Sequence, residues 1–410
     1  MTAIPLLDLP SGAPIDDRAL AAWLEPIVPA EELAATPQDP GFHAEGDVWT
    51  HTKLAIEALV ASPGYAALGP EEEAAGRVSR KITAAAVLLH DIGTPSTTRR
   101  EGDKLTSRGH SARGDNLARV ALWRLGVPFA VREHVCALIR HHQVPFFGVT
   151  RSAAEADRLA IRLSLLLRND WLTAVADADA RGRRCADPAD QVRIIDHCAL
   201  WAEHCRELGI LASAQPFATP HTRRIWLESA PGARQPGVLA HDDTACEVIL
   251  MAGLPASGKD TWLREHRPGL PVISLDELRA ELDVDPDDAQ ARVIAVAREQ
   301  ARAYLRAGTS FAWNATNLTP SLRGQLLELF RGYRARTHIV YCEATAHDQI
   351  ARNRSRRVPV PAAVIECMQA RWTVPDPTEA HEVTYAIPAT PAPVAWPPTP
   401  QDPPDVKPRT

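Results

Sequence analysis

The sequence predicts two domains of different class, an all-helical one followed by an α/β one with a parallel sheet. Three observations carry this. At 410 residues the chain is too long for one hydrophobic core. From Asp47 to about Leu211 it reads as periodic, Ala-rich helical stretches with no strand-like alternation. From Cys246 onward short apolar runs alternate with helical ones, the βαβ pattern of a parallel sheet.

Residues 1–45 are Pro-rich, with a short helix predicted over Asp17–Leu24. Helical periodicity follows at Lys53–Val60, Ile82–Leu89, Asn116–Leu125 and Val131–Ile139, broken by Gly and Pro. The helical domain is taken as 1–211. Turn residues and weak periodicity make 212–244 a linker. In the second domain, 245–390, strands are expected at Val248–Ala252, Pro271–Ser274, Ser310–Trp313 and Thr337–Cys342. Helices are expected at Thr261–His266, Asp288–Arg306, Ser321–Phe330 and His347–Arg352. The tail 391–410 is Pro-rich and polar, the composition of a disordered segment.

Hydrophobic content of 45% and charged content of 23% are globular values. No apolar run is long enough to span a bilayer, and Met1–Ala22 lacks a signal-peptide pattern. Seven scattered Cys without paired spacing read as reduced thiols, so a cytoplasmic location without membrane attachment is expected. A net charge of −6 gives no bulk attraction to nucleic acid, so any polyanion site must be local.

Only five of the 45 basic residues are Lys. One of them, Lys259, stands in Gly253-Leu-Pro-Ala-Ser257-Gly258-Lys259-Asp260-Thr261, a G-x-x-x-x-G-K loop between an apolar strand and a helix. Glycines let backbone N–H groups close around phosphate oxygens, and the helix N-terminus adds partial positive charge. A compact ammonium fits that cradle where a guanidinium does not. The loop therefore predicts ATP, or another NTP, with Mg²⁺. Asp260 departs from the usual Ser or Thr that faces the metal. Either Asp260 contacts Mg²⁺ or Thr261 takes a phosphate contact.

Beyond the loop, Asp276 ends a predicted strand and can act as general base toward an acceptor hydroxyl, with Arg279 one turn later holding an anionic group. The alternative is a helix cap with Arg279 in solvent. Trp313-Asn-Ala-Thr-Asn317 is a polar patch at a strand's C-terminal end, where parallel sheets place ligands. The basic run Arg352-Asn-Arg-Ser-Arg356-Arg357 fits a lid over the donor phosphates, against a chain-wide Arg bias.

The helical half holds His51, His90-Asp91, His110, His141-His142 and Asp179. A His-Asp pair ending an apolar helix is costly unless something binds it, and imidazole with carboxylate suits a catalytic transition metal. At Glu45-Gly-Asp-Val-Trp-Thr-His51, Leu89-His-Asp-Ile-Gly93, Arg108-Gly-His110, Arg140-His-His142 and Ala178-Asp-Ala-Arg-Gly-Arg183, the chain resembles the HD superfamily of metal-dependent phosphohydrolases. Several of these also look like the HD domain of bacterial CCA-adding enzymes. The resemblance implies that His51, His90, Asp91 and Asp179 hold one metal, and that His110 with His141, or with His142 instead, holds a second bridged through Asp91. Mn²⁺, Ni²⁺, Co²⁺, Fe²⁺, Zn²⁺ and Cu²⁺ all suit such ligands. Thr94 stands where many HD enzymes carry a phosphate-binding Lys, so Lys104 or an Arg must serve. Asp170, Asp177 and Asp179 all lie in the stretch of the last ligand. Asp177 and Asp179 are about 200° apart on a helix, so only one faces the site, and the Ala-Asp-x-x-Gly-Arg context selects Asp179.

The loop, Ser274-x-Asp276-x-x-Arg279, Asn314-Ala-Thr-Asn317 and the Arg352–Arg356 run together look like the polynucleotide 5′-kinase branch of P-loop phosphotransferases. An HD domain followed by such a kinase is similar to the bacterial HD-Pnk end-healing enzymes. That resemblance implies 5′-OH phosphorylation and removal of 2′ or 2′,3′-cyclic phosphates. The implied partners are RNA or DNA ends, an NTP donor and a ligase acting downstream. Two other readings remain, a small-molecule phosphotransferase fused to a nucleotidase and a nucleotide-sensing regulator. An aromatic content of only 5% favours the former, since base-stacking platforms are then few.

Overall fold

The computed structural model describes residues 9–69, 74–102, 104–284, 290–388 and 398. The tail expected over 391–410 lies outside the described residues apart from 398. The chain divides into two compact units. One runs to Pro216 and takes in Pro231–Ala233. The other is built from Phe217–Ala230 and Arg234–Ala389.

The first unit is helical. Asp47 caps the helix Val48–Ala61, accepting from the Thr50 amide at 2.8 Å. That helix buries Val48, His51, Thr52, Ala55, Ile56 and Leu59, the apolar spacing of one helical face carrying a single imidazole. Helix Asn169–Gly182 crosses it closely. A Cβ at Gly182 would lie 2.6 Å from the Ala55 amide nitrogen, so only glycine permits the crossing that brings His51 opposite Asp179. Helix Ala74–Leu89 ends in a wholly buried run, Ala84 through Leu89, and delivers His90 and Asp91 to the interior. Helices His110–Arg124 and Phe129–His141 complete the surround. One feature departs from the all-helical expectation. Arg99–Glu101 (β1) and Lys104–Thr106 (β2) form an antiparallel ribbon. Its strands are three residues long and largely exposed, so no core face imprints alternation on the sequence.

The second unit is a parallel sheet of β3 (Cys246–Ala252), β4 (Val272–Ser274), β5 (Phe311–Asn314), β6 (Ala335–Cys342) and β7 (Glu382–Ala386), in the order β4-β5-β3-β6-β7. The four expected strands are present with slightly shifted ends; β7 is an addition. It pairs parallel to β6 from His338↔Glu382 to Cys342↔Ala386 and lies at the sheet's edge, only half buried. Ile249, Met251, Leu263, Ala312, Val340 and Cys342 form a core between the sheet and helix Lys259–His266.

The segment expected as a linker is not featureless. It carries helix Pro220–Glu228, which belongs to the second unit. Arg223 donates to the His381 carbonyl at 2.6 Å, and Arg224 to those of Thr378 and Glu379 at 2.9 and 2.8 Å. Turn residues flank this helix, but its partners lie far along the chain. Among the described residues no helix is long and apolar enough to cross a membrane.

Candidate active sites

Four buried or nearly buried imidazoles meet in the first unit with their Nε2 atoms turned inward. Carbonyl oxygens hold the outer nitrogens of three: Val87 O takes His90 Nδ1 at 2.6 Å, Ser107 O takes His110 Nδ1 at 2.9 Å and Ile139 O takes His142 Nδ1 at 2.8 Å. A carbonyl can only accept, so each Nδ1 carries a proton, which leaves Nε2 as the atom able to ligate. The fourth, His51, has Nδ1 at 3.0 Å from Glu45 Oε1.

The Nε2 atoms face one another. His51 Nε2 and His90 Nε2 are 3.2 Å apart, and His110 Nε2 and His142 Nε2 are 3.4 Å apart. Two lone pairs at such distances repel unless a proton or a metal cation stands between or beside them. The carboxylates complete two triads, His51–His90–Asp179 and Asp91–His110–His142, the donor atoms of each lying within 4.8 Å of one another. Asp91 stands between the triads, 3.5 Å from His90 Nε2 through Oδ2 and 3.3 Å from His110 Nε2 through Oδ1. Arg183 clamps Asp179 bidentately at 2.9 and 3.0 Å, and Gln38 donates to Asp91 at 3.1 Å. Imidazole lone pairs, carboxylates and outer hydrogen bonds fit divalent transition metal ions.

Without a metal, protons supply the positive charge of the cluster, on His51 above all. Burial opposes the charge on Asp91, yet His90, His110 and His51 hold its carboxyl well below the usual range. Burial likewise opposes Asp179, and Arg183 with His51 outweighs it. Burial pulls His51 down, but its hydrogen bonds to Asp179 and Glu45 raise it to about 9. Burial pushes His142 down to about 3, which keeps a lone pair available at neutral pH.

Of the expected ligands, the fold brings together His51, His90, Asp91, His110 and Asp179. It does not bring His141. The helix ends at His141, which burial and then the charges of Arg140 and Arg162 push down to about 3, while His142 at the C-cap turns into the cluster. Adjacent residues point about 100° apart on a helix, so only one can face the site. Asp170 pairs with Arg168 at 2.5 Å and Asp177 with Arg181 at 2.8 Å, both outside the cluster. Glu45 and His43 carry an unforeseen role. Glu45 Oε1 serves both His43 Nδ1 at 2.8 Å and His51 Nδ1 at 3.0 Å, and Oε2 accepts from the Arg184 amide at 2.8 Å.

In the second unit the loop closes where β3 meets helix Lys259–His266. Gly253 has φ 135°, and a Cβ there would lie 2.2 Å from the Cys342 carbonyl oxygen, so glycine is required. Lys259 Nζ donates to the carbonyls of Gly253 and Leu254 at 3.0 and 2.9 Å, folding back over its own loop. Burial lowers its pKa. The Ser257 hydroxyl is buried without a hydrogen-bond partner, the kind of orphan that a phosphate oxygen satisfies. Gly258 caps the helix, leaving its first N–H groups turned to the loop.

Asp260 Oδ1 accepts from Asn314 Nδ2 at 2.6 Å, so the carboxylate is held toward the end of β5. Thr261 instead accepts a long 3.4 Å contact from Arg264. Asn317 donates to the Met251 carbonyl at 2.7 Å, and the Thr316 carbonyl accepts from the Gly253 amide at 2.9 Å. The polar patch thus backs the phosphate loop. Asp276, just after β4, pairs with Arg279 at 2.6 Å and lies 3.8 Å from Arg356. Its neighbour Ser274 is the helix cap, accepting from the Glu277 amide, so Asp276 is not needed for capping. Arg352 Nη1 lies 3.7 Å from where a side chain on Gly258 would begin, above the loop. Gln349 fastens the same helix by donating to the Pro255 carbonyl at 3.0 Å.

Residues 63–198 match the HD domain family and residues 248–375 an AAA domain family. The HD match takes in His90, Asp91, His110, His142 and Asp179 and begins after His51. A curated relative, the Multifunctional CCA protein of Halorhodospira halophila, is 29% identical over 177 residues, 42% of this chain and 37% of that protein. The chain therefore spans little more than a third of that relative's length. Among solved structures, a candidate kinase from Chloroflexus aurantiacus is 18% identical with a TM-score of 0.31, covering 35% of this chain and 86% of its own. A sugar kinase from Janibacter is 17% identical with a TM-score of 0.28, covering 35% and 85%. The chain thus joins a region that matches the HD domain family, with a His/Asp donor set able to hold metal ions, to a region that matches an AAA domain family and carries a phosphate loop.

Proposed function

We propose that the two domains heal the two sides of a broken polynucleotide. The kinase unit phosphorylates a 5′-OH end from an NTP, and the HD unit hydrolyses a 2′ or 2′,3′-cyclic phosphate end. The observation that carries the reading is the acceptor side of the phosphate loop. Asp276 has a 75% exposed side chain, is braced by Arg279, and its charge acts on Lys259 together with that of Asp260. An enclosed pocket suits a small acceptor; an open carboxylate beside a phosphate loop admits the end of a long chain.

In the kinase unit Asp276 takes the proton of the acceptor hydroxyl as its oxygen attacks the terminal phosphorus of the donor. The bond to the leaving NDP breaks, and Lys259 with Arg352 and Arg356 holds the charge that develops on the phosphoryl oxygens. Arg279 holds the acceptor's own phosphate. Mg²⁺, when bound, neutralises donor charge.

In the HD unit the two triads would hold the ions, and Arg183 fixes Asp179. A metal there would supply hydroxide near neutral pH. Water adds to phosphorus and one ester oxygen leaves with a proton.

Joining the two activities raises the effective concentration of the second site once one end is engaged. The deciding experiment is labelled phosphate transfer from ATP, with a 5′-OH oligonucleotide set against a panel of nucleosides. Preference for the oligonucleotide is expected. Transfer to nucleosides alone, with hydrolysis of free nucleotides alone, would replace end repair by a small-molecule kinase fused to a nucleotidase.

A further inference from the structure

We infer that the β1–β2 ribbon is the strand-docking surface of the HD unit, gripping the polynucleotide backbone upstream of the end being hydrolysed. This deepens the phosphohydrolase reading and rests on it for the identity of the bound end. The ribbon is a local exception in an acidic chain. Arg99, Arg100, Lys104 and Arg108 are exposed, and the Arg108 side chain is 82% so. Among the described residues the single ion pair they make is Arg108–Glu101 at 3.4 Å, both partners on the surface, where such pairs contribute little. Arg99 and Lys104 share one face and Arg100 the other. A ribbon only about 5 Å between strands lets long side chains from both faces reach one backbone.

Both feet of the ribbon stand on the metal-ligating cluster. The chain enters it from His90-Asp91 through the short helix Thr94–Thr97 and leaves it into His110. The Thr98 and Ser107 hydroxyls close its base at 2.9 Å. The Ser107 carbonyl then holds His110 Nδ1 at 2.9 Å, and His110 Nε2 lies 3.3 Å from Asp91. Each strand of three residues projects about 10 Å. A mononucleotide seated at the cluster does not extend along that length, whereas the phosphates next to a terminal one do.

The test is Arg99→Gln/Arg100→Gln/Arg108→Gln in the full chain. The probe is a labelled single strand carrying a 5′-phosphate, which offers the kinase unit no acceptor hydroxyl, and a 2′,3′-cyclic phosphate end. Its affinity, read by fluorescence anisotropy, should fall about tenfold near 0.1 M salt. The slope of log affinity against log salt should shrink by about 2, as loss of three phosphate contacts requires. KM for the oligonucleotide should rise with kcat unchanged, while hydrolysis of a 2′,3′-cyclic mononucleotide stays within about twofold. Unchanged strand affinity and salt slope would overturn the docking surface. So would an equal loss of mononucleotide hydrolysis, which would assign the ribbon to the site itself. If wild type hydrolyses neither substrate yet the variant loses strand affinity, the docking surface stands and the phosphohydrolase reading falls.

Discussion

Replacing Glu45 with Gln should weaken metal binding in the HD unit by about 10- to 100-fold without unfolding it. Three nitrogens converge on this carboxylate: His43 Nδ1 and the Arg184 amide hydrogen-bond to it at 2.8 Å each, and His51 Nδ1 stands in ion-pair contact at 3.0 Å. A carboxylate accepts from all three. An amide has one acceptor oxygen, and its NH₂ must then face a donor. The backbone amide cannot turn away, so the oxygen goes to Arg184 and the His51 Nδ1 proton loses its acceptor. A charge-assisted bond is worth about 1.5–3 kcal/mol and a stranded buried donor costs about 1–3 kcal/mol. Part of this relaxes by ring rotation, which itself turns Nε2 away from His90 and Asp179. About 1.4–2.7 kcal/mol at the metal is the result, the range found for partners behind a ligating histidine. Competition between the full chain and a fluorescent chelator measures the affinity, with the thermal transition of the HD unit as the folding control. His43→Ala removes a competitor for Glu45 and should leave affinity intact. Metal affinity within twofold of wild type in the Gln variant would show that Glu45 does not orient His51.

Three further outcomes follow from the two sites. Lys259→Ala should abolish phosphate transfer from ATP and spare HD hydrolysis; transfer within about tenfold of wild type, only ~1.4 kcal/mol in the barrier, would leave the loop without a catalytic part. His142→Ala should lower metal content on elemental analysis and His141→Ala should not; the reverse pattern would move the second triad to His141. Burial, then His221, pushes His381 down to about 4. The unfolded chain binds a proton near pH ~6.5 that the folded chain refuses until about 4, so stability rises with pH across that window and is lost on acidification. His381→Asn keeps an acceptor for the Thr337 amide, which donates to His381 Nδ1 at 3.0 Å, and should flatten the fall in the kinase unit's melting temperature between pH 6.5 and 4. Identical profiles for variant and wild type would place the acid sensitivity elsewhere.

What could be read from the sequence divides along the range of the interactions involved. The phosphate loop was legible because its chemistry is local: Lys259 folds back on carbonyls five and six residues before it. The strand–helix alternation was legible because β3, β5 and β6 are buried on both faces and write themselves as apolar runs. β7 was missed because an edge strand, half buried, has no such signature. Helix Pro220–Glu228 read as linker because the carbonyls that hold Arg223 and Arg224 lie more than 150 residues on. The ribbon faces solvent and so carried only charge, which a chain rich in Arg conceals.

The His/Asp cluster was legible in composition and less so in orientation. A buried His-Asp pair announces itself, but the choice between His141 and His142 depends on where the helix stops, and sequence places helix ends poorly. Asp179 could be separated from Asp177 because those two share one helix and differ in phase alone. Glu45 stood in plain view in the stretch leading to His51. Its role needed the Arg184 amide, 139 residues away, to fix the second oxygen. Asp260 poses the same problem: its partner Asn314 lies 54 residues away on β5. Sequence gives the residue type, and hence the chemistry a position can perform. Whether a carboxylate faces a metal, an imidazole or a backbone amide is decided by contacts between elements, and those come from the fold.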